Sequence, residues 1–154
     1  MRTLVVLGYV LAGVCTPFAL GAGDAKSDQA KLQGTWVAVS LVEKGKAEPP
    51  DRVRTLKLII MGNKYIYQLG SDDKRFVATF KIDPTTKPKS MDVVFDAGPL
   101  KGKTMKSIYA FDGDELRICG GRDKRPSEFS STQGDGEIVF TFIRVKKQRA
   151  ESPK

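Results

Sequence analysis

From residue 35 to residue 144, apolar and polar residues alternate in short runs bounded by glycine, proline or charged pairs, the pattern of half-buried strands. Thr35 to Val42 is rich in strand formers. Leu56 to Met61 and Lys64 to Leu69 flank Gly62-Asn63. A two-residue turn there sets Ile60 against Tyr65, Leu58 against Tyr67 and Leu56 against Leu69 on an apolar face, with Lys57 against Gln68 and Met61 against Lys64 on the other. Phe76 to Ile82, Met91 to Phe95 and Ile138 to Arg144 continue the alternation. A second hairpin is expected around Asp112-Gly113. That turn pairs Tyr109 with Leu116 and Ser107 with Ile118, puts Phe111 on the same inner face, and leaves Ile108 and Cys119 outside.

The helical signal is confined to a short turn over Ser27 to Gln33, N-capped by Ser27 or Asp28 and ended by Gly34. Glu43 to Asp51, Asp83 to Lys89, Asp96 to Lys103 and Gly120 to Gly136 read as polar loops. Eight short strands without strand–helix alternation imply an all-β fold, an antiparallel meander closing into a sandwich or an up-and-down barrel. An eight-stranded barrel encloses just enough room for side chains or one small ligand. Tyr65, Tyr67, Phe80, Tyr109, Phe111, Phe140 and Phe142 are then inward candidates for ligand contact, or they fill the core.

The N-terminus changes the picture of location. Arg2, the apolar run Leu4 to Val14 and the exit Ala19-Leu20-Gly21-Ala22 read as a secretory signal peptide over residues 1–22. The uncharged stretch Thr3 to Gly23 is also long enough for an uncleaved anchor. With the leader cleaved, no transmembrane segment is expected, and the barrel occupies 27–146, followed by a basic, unstructured tail over 147–154. Cleavage also removes Cys15, so Cys119 is left without an internal disulfide partner. The net charge of +8 favours, for an exported chain, anionic envelope partners over nucleic acid. Arg122, Lys124 and Arg125 form a basic loop, read as a solvated loop or as an anion-binding mouth.

The chain has no histidine, which removes histidine-based nucleophilic and acid–base sites and histidine-ligated metals. No phosphate-cradling glycine motif occurs; Gly102-Lys103-Thr104 lacks the upstream spacing. The acidic clusters Asp112-Gly113-Asp114-Glu115 and Asp135-Gly136-Glu137 are read as turn chemistry rather than as a calcium or glycosidase site. No catalytic residue, cofactor or metal is expected. The expected function is non-enzymatic binding of a small apolar or amphiphilic ligand. The alternative is an envelope interaction or inhibitor module acting through basic loops.

Two resemblances follow. Gly34-Thr35-Trp36 resembles the Gly-x-Trp signature of lipocalins, in which a basic residue of a late strand packs across the tryptophan at the closed end. The resemblance implies that role for Arg144, with Gly34 and Trp36 completing the closure. No helix pattern follows near the C-terminus, so the likeness is to a lipocalin-like barrel rather than to a full lipocalin.

The mature chain is also similar to a family of small exported planctomycete domain proteins of unknown function. The matching residues are Leu32 to Trp36, Lys87-Pro88-Lys89 with Asp92, Gly102-Lys103-Thr104, Ile108-Tyr109, Asp112-Gly113-Asp114, Leu116 to Cys119, and Arg125-Pro126 with Phe129. The chain departs at Ser107, where that family usually has glycine before Ile-Tyr. This resemblance implies a fold and export, and no substrate.

Overall fold

The computed structural model describes residues 22–70 and 74–146; the segment expected to be a signal peptide, apart from Ala22, and the tail 147–154 lie outside them. The chain runs α1 (Ala22–Leu32), β1 (Gly34–Glu43), β2 (Lys46–Ala47), α2 (Pro50–Val53), β3 (Lys57–Met61), β4 (Lys64–Leu69), β5 (Lys74–Asp83), β6 (Lys89–Phe95), β7 (Thr104–Asp112), β8 (Glu115–Gly121) and β9 (Glu137–Arg144). Each long strand pairs antiparallel with the next, and β9 returns to β1, so eight strands form a closed up-and-down barrel. The architecture is lipocalin-like. On the side of β1 away from β9, β3 pairs with its first half, while β2 pairs with Val42 and Glu43.

The β3–β4 register is the expected one, Met61 opposite Lys64 and Ile60 opposite Tyr65. Gly62 supplies the positive φ of 59° at the first turn position. The β7–β8 hairpin differs from expectation. Asp112 pairs with Glu115, Phe111 with Leu116 and Tyr109 with Ile118, so the turn is Gly113-Asp114 rather than Asp112-Gly113. Only Gly113 has positive φ, which suits a turn with glycine first, and Asp112 stays in the strand. The slip is two residues, so every side chain keeps its expected face.

Two further expectations are corrected. The polar loop after β1 contains the Lys44-Gly45 turn, both residues at positive φ, then β2 and the single helical turn α2 behind Pro49. The N-terminal helix is longer than the expected turn, and Asp28 lies within it rather than capping it. Asp28 is buried, and its carboxylate accepts hydrogen bonds from Lys89 Nζ at 2.7 Å and Tyr109 Oη at 2.8 Å. Tertiary contact, not helix propensity, holds this segment.

Alternation divides each strand. Trp36, Ala38, Leu58, Ile60, Ala78, Met91, Val93, Leu116 and Ile118 face inward and form one core with the buried aromatics. A bulge between Ala38 and Ser40 returns Leu41 to the same core. Ile108, Cys119 and Val139 face outward yet are buried, because the β8–β9 loop folds back and lays Phe129 on them. Arg117 covers that ring from 4.8 Å.

Candidate functional site

The α1 end of the barrel is shut by hydrogen bonds from three directions. Gln29 Nε2 and Gln33 Nε2 donate to the Gly62 carbonyl, and the Gly62 N–H donates to Gln33 Oε1 at 2.7 Å. Asp28 ties the helix to β6 and β7 as described. On the third side, Arg144 stacks over Trp36, whose indole N–H donates to the Leu32 carbonyl at 2.9 Å. Gly34, at φ 122°, leaves the space: a Cβ there would stand 3.2 Å from an Arg144 nitrogen. Gly34, Trp36 and Arg144 are thus brought together.

The seven inward aromatics are placed in the core. Tyr65, Phe80, Tyr109 and Phe142 are buried; Tyr67, Phe111 and Phe140 are half-buried against the same cluster. They pack on one another edge-on, as in Tyr65–Phe80, Tyr67–Phe140 and Tyr109–Phe111, with Phe140 and Phe142 stacked. Burial pushes the phenols of Tyr65 and Tyr67 well above the usual tyrosine range. Burial, reinforced by the Asp28 hydrogen bond, does the same to Tyr109. All three stay protonated and uncharged at neutral pH.

The opposite end is shaped differently on its two sides. α2 sits against β1 and turns Val53 and Leu56 into the core. Where β6 to β9 end, a cleft of about 420 Å³ opens. Its inward-facing lining is Phe95, Met105, Gly120 and Ile138, with Leu100 from the β6–β7 loop. Lys103 and Arg122 stand at its rim. Both are exposed, and neither has an ion-pair partner among the described residues. Gly120 allows Met105 to lie over the β8 backbone, since a Cβ there would meet Met105 Sδ at 2.7 Å. The volume is in the range of small-ligand sites.

None of the seven aromatic candidates lines this cleft, and of the expected basic loop only Arg122 does. Arg125 is half-buried and paired, and it does not line the mouth. It reaches back over the outer face, with Nη2 on Asp92 at 2.6 Å and Nη1 on the Ser107 carbonyl at 2.7 Å. The signal for the mouth was the Gly120-Gly121 pair at the end of a strand, a place where glycine marks close approach.

The acidic clusters behave as turns. Asp135 accepts from the Glu137 N–H at 2.8 Å, the Thr132 N–H and the Thr132 hydroxyl, and these bonds, the first above all, hold its carboxyl below the usual range. Among the described residues, no group of three or more Cys, Asp or Glu is placed to hold a metal ion. Cys119 is buried, and burial pushes its thiol up to about 12, with Glu137 and Asp135 adding to the effect. A thiol in that state is a poor nucleophile.

Comparison with known proteins found no matching family model, no similar curated protein and no similar solved structure. No helix among the described residues is long and apolar enough to cross a membrane.

Proposed function

We propose that this chain is an exported, non-enzymatic binding barrel that takes a small amphiphile at the mouth formed by β6 to β9, with the ligand's anionic head at Lys103 and Arg122. One observation carries the reading: an apolar-floored cleft whose rim holds two cations without ion-pair partners among the described residues. Apolar area binds the tail, and the rim charges orient the head. The aromatic core beneath gives the cleft a stiff floor instead of serving as the first contact.

The test is titration of the purified protein with a fluorescent fatty-acid analogue. Saturable one-to-one binding is expected, weakened about tenfold by Lys103→Glu with Arg122→Glu, roughly the loss of two rim charge contacts. Absence of saturable binding, together with native mass spectra free of any co-purifying ligand, overturns the reading. Retention of the protein on anionic envelope fractions, lost in the same variant while the fatty-acid analogue fails to bind, supports instead an interaction module acting through basic loops.

A further inference from the structure

Ser107 Oγ is a buried side-chain polar atom with no hydrogen-bond partner, and it stands alone in this among the described residues. Such a group costs free energy wherever nothing satisfies it. Its place in the barrel is specific. Ser107 lies on β7 between Met105 and Tyr109, all three on the inner face by alternation. Its cross-strand neighbours are Gly120 on β8 and Met91 on β6. Gly120 and Met105 both line the mouth cleft. The hydroxyl therefore sits one inward position below the cleft floor, flanked by a glycine without a side chain and by two methionines.

Methionine is the side chain that most readily changes shape within a core. Met105 fills the space over Gly120 only with its flexible thioether, so turning it aside extends the cleft toward Ser107 without moving the backbone. The backbone there is fixed from outside: Arg125 donates to the carbonyls of Ser107 and Met91 and pairs with Asp92.

We infer that Ser107 is a second polar anchor of the mouth site, covered by Met105 in the unliganded barrel, and that the ligand is an anionic amphiphile bearing a hydrogen-bonding group on its tail. The inference rests on the mouth reading given above. From Lys103, just before β7, to Ser107 is four steps along the chain, about 14 Å at the rise of a strand, which sets the scale of the spacing between the anionic head and the second polar group.

The experiment compares decanoate with its terminally hydroxylated form, by calorimetry, on the intact protein. The hydroxylated probe is expected to bind about fivefold more tightly, the effect of one satisfied hydrogen bond. Ser107→Ala is expected to erase that preference and to melt no lower than the parent, since it removes an orphaned polar group. Met105→Ala, which removes the thioether lying over Gly120, is expected to widen the preference for the hydroxylated probe. Equal affinity for the two probes in the parent protein, or a preference that survives Ser107→Ala, overturns the anchor while leaving the mouth reading standing. Failure of both probes to bind overturns both.

Discussion

The Arg144 guanidinium carbon stands 4.1 Å from the centre of the Trp36 ring, while its nitrogens donate to the carbonyls of Lys31 and Gln33. One side chain thus joins the last strand, the first strand and the end of α1. A helix C-terminus needs partners for its last carbonyls, and a guanidinium provides them while its face rests on the indole. Arg144→Ala is expected to cost about 3 kcal/mol, from one cation–π contact and two charge-assisted hydrogen bonds. Arg144→Lys should recover under half of that. Urea titration of both variants checks the claim, and a loss under about 0.5 kcal/mol for the alanine variant would count against it.

The buried Asp28 carboxylate gives a second stability test. Asp28→Ala strands the Tyr109 hydroxyl in the core and removes the partner of Lys89, and should cost about 3 kcal/mol. Tyr109→Phe alone should cost about 1 kcal/mol. In a double-mutant cycle the two should be non-additive, because they share one hydrogen bond.

Alkaline pH should unfold the protein early. Tyr65, Tyr67 and Tyr109 are held protonated in the barrel well above the ordinary 10.0 of an exposed phenol. Between that value and the folded values, the unfolded chain releases protons that the folded one keeps. Stability is therefore fully present below pH 10 and falls above it, by up to about 1.4 kcal/mol per pH unit for each phenol. Chemical denaturation at stepped pH, followed through phenolate absorbance, should show ionisation coincident with unfolding. Tyr65→Phe with Tyr109→Phe should flatten the fall.

Gly121 tolerates no side chain. A Cβ there would lie 1.9 Å from the Lys124 carbonyl oxygen and 3.0 Å from Pro126 Cδ. Gly121→Ala must push the start of the β8–β9 loop away, and with it Arg125 and Phe129. A loss of about 2 kcal/mol or more is expected. Loop displacement should also raise thiol accessibility at Cys119.

In the parent protein, Cys119 should resist alkylation until the barrel opens. Its thiol is buried beneath Phe129 and donates to the Ser130 carbonyl at 3.5 Å. Labelling rates measured across a denaturant series should follow the unfolded fraction. Fast labelling under native conditions would contradict the packing described.

Sequence made the barrel legible because period-two alternation and glycine turns are local signals. The β3–β4 register could be read directly, since Gly62 heads a two-residue turn and both flanking faces agree. At β7–β8 the register differs by two residues from the one an Asp-Gly turn predicts, because glycine alone needs the positive φ and Asp112 stays in the strand. Ile108 and Cys119 were placed correctly on the outer face, where they looked misplaced; Phe129, from a loop folding back, explains them.

The mouth was not legible for a different reason. Phe95, Leu100, Lys103, Arg122 and Ile138 come from two strands and two loops that meet only when β6 to β9 have paired and curled. The placement of Asp28 was likewise hidden, since its partners lie 61 and 81 residues away.

The ladder from Trp36–Arg144 to Glu43–Ile138 joins the first long strand to the last. A chain emerging from its N-terminus consequently exists as an open sheet, with two unsatisfied edges, until almost all of it has been made. Those edges are templates for pairing with other chains. Losing the final strand should therefore leave an aggregation-prone ribbon rather than a smaller barrel. Because Gly34 and Arg144 are neighbours, a new terminus cut into an exposed turn, with the old ends joined, should preserve the ring while changing which seam closes last.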